Sequence, residues 1–117
     1  MNYEDRVTKQ YFENALAEKC EVVFGSYVGN DAAERTFDLG FAPKAVLLLT
    51  SGGLTATAAS STPVTYGGLA LPNQQAGPAG YPALTLTSTG FTVYNYDSFD
   101  YIRSNRRNLT YYYAALR

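Results

Sequence analysis

The sequence predicts a mainly β protein, an antiparallel β-sandwich of about seven strands that is jelly-roll-like, preceded by one N-terminal α-helix. Charged residues crowd the first 21 positions, and none occurs between residues 45 and 96. Apolar residues in the opening segment recur every four positions, as they do along one side of a helix. After Cys20 the chain consists of short β-branched and aromatic segments separated by Gly, Pro and Asn, which is typical of strands and turns.

The length of 117 residues suits one domain with a substantial core. We expect residues 1–19 to form a helix for attachment or oligomerisation and residues 20–117 to form the β-sandwich domain. Cys20 is the single cysteine, so no internal disulfide can form. Stability must therefore come from packing or from assembly.

The opening helix is predicted from the segment NYEDRVTKQYFENALAEK. Its apolar stripe is the candidate attachment or oligomer surface and contains Tyr3, Val7, Tyr11, Phe12 and Leu16. An isolated helix of this length is only marginally stable in water, so the stripe must dock on something. Three partners are open: the protein's own sandwich, copies of the same helix in a bundle, or a larger assembly.

The strands are predicted at residues 21–28, 34–41, 44–51, 62–71, 83–89, 90–96 and 109–116. The run from Ala45 to Leu49 is apolar at every position, which predicts a central strand that is covered on both faces. In ALTLTST, Leu84 and Leu86 alternate with threonines, which predicts one inward apolar face and one outward polar face. TSTG, ending at Gly90, predicts the hairpin to the next strand.

The last strand, TYYYAALR, carries bulky residues on both of its faces. Strand alternation places Thr110, Tyr112, Ala114 and Leu116 on one face and Tyr111, Tyr113, Ala115 and Arg117 on the other. We expect one face to contact the protein's own sandwich and the other a neighbouring subunit. Tyr111 and Tyr113 are the candidate inter-subunit residues.

Several stretches taken together resemble a known class of proteins. They are GSYVGND, RTFDLGFAPKAVLLL, YGGLALP, ALTLTSTGFTVYN and TYYYAALR, after the opening NYEDRVTKQYFENAL. This succession covers nearly the whole chain and resembles small structural proteins of tailed bacteriophages and prophages of Gram-positive bacteria, which belong to fibres, tails or the capsid surface. The resemblance implies a virion component, commonly a homotrimer.

The charge-free middle of the chain is compatible with permanent self-assembly. A surface of Thr, Ser, Ala and Gly can be buried against copies of itself without stranding ions, and an unpaired buried charge costs several kcal/mol. The alternative is that this surface is simply solvated through its hydroxyls and amides.

Other classes of function are disfavoured. Histidine is absent, which removes the commonest general base and metal ligand, and Cys20 lacks a histidine partner. Asp97 and Asp100 are expected to be solvated or paired with arginines rather than to act as an acid and base pair. No catalytic residue, metal or cofactor is predicted. The net charge of -1 argues against a nucleic-acid partner, and no apolar run is long enough for membrane insertion.

The loop at residues 95–108 is the candidate ligand-binding surface. Aromatic rings that stack on apolar patches, beside side chains that donate and accept hydrogen bonds, are typical of sugar-binding and protein-binding surfaces. The candidate residues are Tyr96, Asp97, Asp100, Tyr101, Arg103, Asn105 and Arg106. The alternative is a salt-bridged loop whose aromatic residues hold it against the sandwich.

The sequence therefore predicts a non-enzymatic phage virion structural protein that forms a homotrimer. The helix would anchor or zip the oligomer, and the β-domain would be displayed as a fibre head or capsid decoration, with contact to a host-cell glycan as an extension. The expected partners are copies of itself and other virion proteins. The N-terminus lacks a signal-peptide core, so synthesis in the host cytoplasm and location in the virion are expected. The alternative function is a free lectin-like carbohydrate-binding module.

Overall fold

The computed structural model describes residues 21–57, 64–96 and 102–117. Within these ranges the secondary structure consists of nine strands and no helix: β1 (Val22–Val28), β2 (Glu34–Asp38), β3 (Ala45–Thr50), β4 (Ala56–Thr57), β5 (Val64–Thr65), β6 (Gly68–Ala70), β7 (Leu84–Leu86), β8 (Gly90–Tyr94) and β9 (Thr110–Leu116). The predicted N-terminal helix lies outside the described residues.

The strands form two larger sheets and one short pair. One sheet has four strands in the order β1-β9-β3-β6, and the other has three in the order β2-β8-β7. Strands β4 and β5 pair with each other. Every ladder between these strands is antiparallel. The predicted mainly β, antiparallel fold is therefore confirmed.

The strand pairs are nested along the chain. The first strand pairs with the last, β2 with β8, β3 with β6, and β4 with β5. Strand β7 is additional and joins β8 through a hairpin, which confirms the hairpin predicted at Gly90. Because the outermost pair joins Val22 to Leu116, the two ends of the described chain must meet before the four-stranded sheet is complete.

The core lies between the inward faces of the two larger sheets. Its fully buried side chains include Val46 and Leu48 from one sheet and Leu84, Phe91 and Val93 from the other. Alternation along a strand explains this set, since residues two apart share a face.

Aromatic rings join the two sheets across the core. Tyr27 of β1 lies 4.6 Å from Phe37 of β2, measured between ring centroids. Phe37 in turn lies 5.1 Å from Phe91, and Phe91 lies 4.9 Å from Tyr113 of β9. Such tilted ring contacts add about 0.5–1.5 kcal/mol each beyond the burial of area. The rings therefore form a continuous line between the layers.

One glycine provides the space that this line of rings requires. Gly25 is the register partner of Tyr113, and a Cβ at this position would lie 2.2 Å from the Tyr113 hydroxyl oxygen. Any other residue would displace the tyrosine ring from the inter-sheet contact.

Several predicted strands keep their positions, and three predictions change. The strand predicted at residues 62–71 is divided into β5 and β6, and β4 lies between two predicted strands, where no strand was predicted. Strand β3 is internal to its sheet, but Leu47 on its outer face is 38 % exposed. The prediction that this strand is covered on both faces is therefore corrected for the described residues. An apolar run shows only that both faces of a strand are suited to burial. Whether both faces are buried depends on which other parts of the fold pack against them.

Leu48→Ala should lower the free energy of unfolding by about 2–5 kcal/mol, because Leu48 is fully buried between the sheets and truncation leaves a cavity. Urea denaturation followed by far-UV circular dichroism measures this change. Leu54→Ala is the matched control, since Leu54 is about half exposed in a turn, and it should change the free energy by less than about 0.5 kcal/mol. Equal losses in the two variants would contradict the location of the core.

Candidate functional site

The outward face of the four-stranded sheet is apolar across all four strands. Phe24 of β1 pairs with Ala114 of β9, which also pairs with Leu47 of β3, and Leu47 pairs with Leu69 of β6. We call this surface the outer apolar face; it consists of Val22, Phe24, Leu47, Leu49, Leu69, Tyr112 and Ala114.

Large side chains on the outer apolar face are exposed to an unusual degree. Phe24 is 78 % exposed, Leu69 is 53 % exposed and Tyr112 is 52 % exposed. No residue of the outer apolar face is charged. Soluble monomers rarely expose a large contiguous apolar patch, and such patches mark interaction surfaces. The outer apolar face is therefore the candidate functional site.

A hollow of about 230 Å³ lies in the middle of the outer apolar face. Its lining comes from Phe24, Leu47, Leu49, Tyr112 and Ala114, with part of Tyr113. Ala114 lies between Phe24 and Leu47 in the sheet, so its small side chain leaves space between the bulkier residues on the two neighbouring strands. The hollow can accept an apolar side chain from a partner without desolvating a charge.

The predicted inter-subunit residues Tyr111 and Tyr113 lie on the other face of β9. Tyr111 is fully buried and stacks on Tyr27 at 5.0 Å between ring centroids. Tyr113 is half-buried against Phe91. The alternation of β9 is as predicted, but its outward residues are Tyr112 and Ala114. These two replace Tyr111 and Tyr113 as the candidate inter-subunit residues.

The predicted ligand-binding loop is only partly described. Asp97, Asp100 and Tyr101 lie outside the described residues, as do the helix residues Tyr3, Val7, Tyr11, Phe12 and Leu16. Tyr96 and Arg103 are half-buried, and Arg106 is exposed.

Asn105 is fully buried and holds a turn, so the prediction that it contacts a ligand is corrected. Its side-chain nitrogen donates hydrogen bonds to the side-chain oxygen of Asn30 at 2.7 Å and to the Ala32 carbonyl at 3.0 Å. Its side-chain oxygen accepts a hydrogen bond from the Asn30 amide at 3.3 Å. Polar loop residues often contact ligands, but a buried side-chain amide needs hydrogen-bond partners within the protein, and the Asn105 amide has them.

The residues next to Asn105 also belong to the interior. Ile102 and Ser104 are fully buried. The Ser104 hydroxyl donates to the Ala83 carbonyl at 2.5 Å and accepts from the Tyr94 amide at 2.8 Å. The Tyr27 hydroxyl donates to the Ser104 carbonyl. Residues 102–105 therefore form a buried segment that is hydrogen-bonded to both sheets. The polar sequence of the loop did not predict this burial.

Arg35 is another residue whose role the sequence did not indicate. Its guanidinium lies 4.7 Å from the Phe37 ring centroid and 5.6 Å from that of Tyr27. It also donates a hydrogen bond to the Val28 carbonyl at 2.8 Å. The arginine thus joins β1 to β2 through cation–π contacts.

Two buried tyrosines have perturbed acidity. The pKa of Tyr111 is raised to about 12, mainly because the residue is buried, and burial also raises the pKa of Tyr27. The Tyr111 hydroxyl donates to the Arg103 carbonyl and accepts from the Arg106 amide at 3.1 Å. Both phenols therefore act as neutral structural hydrogen-bond donors.

No metal or membrane site emerges from the described ranges. Residues 21–57, 64–96 and 102–117 contain no group of three acidic, histidine or cysteine side chains that could hold a metal ion. In the same ranges, no helix is long and apolar enough to span a bilayer.

Asn105→Ala should lower the free energy of unfolding by about 1–3 kcal/mol, because it leaves the polar groups of the turn without their partner. Thermal or urea unfolding measures the loss. Arg106→Ala, on the exposed neighbouring residue, is the matched control and should have little effect. An Asn105→Ala variant with an unchanged free energy of unfolding would show that the turn does not depend on this amide.

The stability of the protein should fall at alkaline pH. An unfolded tyrosine loses its proton near pH 10.0, whereas folded Tyr111 keeps its proton up to about pH 12. Ionisation therefore favours the unfolded state as pH rises above 10.0, by up to about 1.4 kcal/mol per pH unit for one such group. Urea denaturation between about pH 8 and about pH 11 measures this slope.

Tyr111→Phe should make the alkaline slope shallower, and Tyr27→Phe should do the same. Tyr81→Phe, at an exposed tyrosine outside both the core and the outer apolar face, is the matched control and should keep the steep slope. An unchanged slope in the Tyr111→Phe variant would contradict the assigned role of its hydroxyl.

No family model, curated protein or solved structure matches the chain. What the chain does is therefore inferred from its own surfaces.

Proposed function

We propose that this chain is a non-enzymatic structural protein of a bacteriophage virion and that it assembles as a homotrimer through the outer apolar face. The observation that carries the proposal is the exposure of Phe24, Leu69 and Tyr112 on one continuous surface without a charged residue. Such a surface is unfavourable in water and is suited to a permanent interface.

A second copy of the chain is the occupant that best fits the outer apolar face. Every copy carries the same uncharged face, so copies can cover one another without burying an unpaired ion. An ion pair beside this sheet, between Glu21 and Arg117 at 3.7 Å, lies at its margin and is well exposed. These two charged groups thus lie where the rim of a subunit interface would remain in contact with water.

The nested pairing of strands supports a jelly-roll architecture for the β-domain, with β7 as an inserted strand. In a jelly roll a long antiparallel hairpin is rolled into two layers, so early strands pair with late ones. The pairs β1 with β9, β2 with β8, β3 with β6 and β4 with β5 follow that rule.

The virion assignment is supported by the resemblance of LGFAPKAVLLL, LTSTGFTV and the tyrosine-rich final strand to phage structural proteins. In this proposal residues 1–19 anchor or zip the trimer and bind other virion proteins. The β-domain is displayed as a fibre head or a capsid decoration. The absence of histidine from the sequence supports a role without catalysis.

A free lectin-like carbohydrate-binding module is the second candidate. It is favoured by three grouped tyrosines beside the three-stranded sheet: Tyr94 stacks on Tyr96 at 5.9 Å and Tyr81 meets Tyr96 edge-on at 6.4 Å, measured between ring centroids. Such a module requires no trimer, so the oligomeric state separates the two candidates.

Phe24→Asp should convert the trimer to a monomer, because it places a carboxylate in the interface on every copy. Size-exclusion chromatography with light scattering should give about three times the chain mass of 12.8 kDa for the unaltered protein and one chain mass for the variant. The far-UV circular dichroism of the variant should be unchanged, since Phe24 is exposed in the isolated chain.

Tyr81→Asp is the matched control for this experiment, because it introduces the same charge at an exposed aromatic residue away from the outer apolar face. It should leave the trimer intact. An unaltered protein that is monomeric at all concentrations would overturn the assembly proposal.

A further inference from the structure

The outward face of the three-stranded sheet has a different chemistry from the outer apolar face. Strand alternation and register place Glu34 beside Tyr94, and Thr36, Thr92 and Thr85 in one row across the sheet. The Thr36 and Thr92 hydroxyls are hydrogen-bonded at 2.8 Å. This face is rich in hydroxyl groups and carries a tyrosine at one end.

Three tyrosines are grouped at that end of the sheet. Tyr94 and Tyr96 stack with ring centroids 5.9 Å apart, and Tyr81 meets Tyr96 edge-on at 6.4 Å. Tyr81 is 39 % exposed, and the other two are half-buried. We call these three residues the tyrosine cluster. None of them belongs to the hydrophobic core, so their contacts with one another do not serve to fill the space between the sheets.

Neighbouring polar groups hold the tyrosine cluster and supply hydrogen-bonding capacity. The Tyr94 hydroxyl is hydrogen-bonded to the Thr85 hydroxyl at 2.9 Å, which fixes the orientation of its ring. Burial, the neighbouring Tyr94 and the charge of Glu34 all raise the pKa of Tyr96. The Tyr96 hydroxyl therefore stays protonated near neutral pH and can donate a hydrogen bond, while the Glu34 carboxylate can only accept.

We propose that the tyrosine cluster and Glu34 form a binding site for neutral oligosaccharides built of hexopyranose units. Aromatic rings held in fixed positions offer apolar area at a low entropic cost, and the C–H groups on one side of a pyranose ring can pack on them. The Glu34 carboxylate and the Tyr96 hydroxyl are placed to accept and donate hydrogen bonds to sugar hydroxyls. The negative charge of Glu34 disfavours anionic ligands.

This site is independent of the outer apolar face. It lies on the other sheet and shares no residue with the proposed subunit interface. A trimer would present three copies of the site, which raises the avidity for a repeating polymer even where each site binds weakly. The inference therefore applies equally to a virion protein and to a free module.

The test uses the full chain and three soluble probes: cellohexaose, maltohexaose and chitohexaose in its N-acetylated form. Isothermal titration calorimetry measures the dissociation constant, and tyrosine fluorescence provides a second readout because the protein contains no tryptophan. At least one probe should bind with a dissociation constant of about 1 mM or tighter. Tyr81→Ala and Tyr96→Ala should each weaken that binding by about tenfold, as expected for the loss of one stacking ring.

Two further variants separate stacking from loss of structure. Tyr96→Phe keeps the ring, so it should retain most of the affinity even if Tyr96→Ala disturbs the fold. Glu34→Gln alters only a surface carboxylate and should weaken binding severalfold. Leu54→Ala is the control, because Leu54 is exposed and belongs neither to the tyrosine cluster nor to the outer apolar face, and it should leave the dissociation constant per site unchanged.

The proposal is overturned if none of the three oligosaccharides binds in the millimolar range. It is also overturned if Leu54→Ala weakens binding as much as Tyr96→Ala does. Light scattering on the same samples reports the oligomeric state separately. A trimer that binds no sugar leaves the assembly proposal standing, whereas a monomer that binds sugar leaves only the oligosaccharide site.

Discussion

The pairing of β9 on both of its edges is the constraint on which the rest of the structure depends. All seven of its residues pair with β1 along one edge, and six of them, Tyr111 to Leu116, pair with β3 along the other. The inward side of β9 supplies Tyr111 to the core, and its outward side supplies Tyr112 and Ala114 to the outer apolar face. If β9 were displaced by one residue, these sets would exchange faces, and both the core and the candidate interface would be lost.

Residues 102–105 stabilise this arrangement from the side of the loops. Ser104 connects Ala83, Tyr94 and Tyr27 through hydrogen bonds, and Asn105 holds the turn that follows β1. All of these polar groups are buried or nearly so, and no buried side-chain nitrogen or oxygen in the described residues lacks a partner. Satisfied polar groups of this kind specify one arrangement of the loops, because any other arrangement would leave some of them unpaired.

The two outward faces of the domain have opposite chemistry, and this suits two separate tasks. The four-stranded sheet presents Phe24, Leu69 and Tyr112, which are unfavourable in water and suited to contact with another chain. The three-stranded sheet presents Glu34, Thr36 and the tyrosine cluster beside the buried Thr92, and these exposed or half-buried groups remain compatible with solvent. A domain built in this way can be covered on one side while its other side stays available for a ligand.

The sequence by itself determined the antiparallel β class, most strand positions and the residues that share a face of each strand, because alternation and turn chemistry are local properties. It also indicated the charge-free middle of the chain, which supplies Leu47, Leu49 and Leu69 to the outer apolar face. Only the tertiary structure decided which face of β9 is inward, that Asn105 is buried rather than available to a ligand, and that Tyr81 meets Tyr96. These outcomes depend on register and on contacts between residues distant along the chain. A period of two defines two faces of a strand, but the strand or sheet that lies opposite decides which of them is inside.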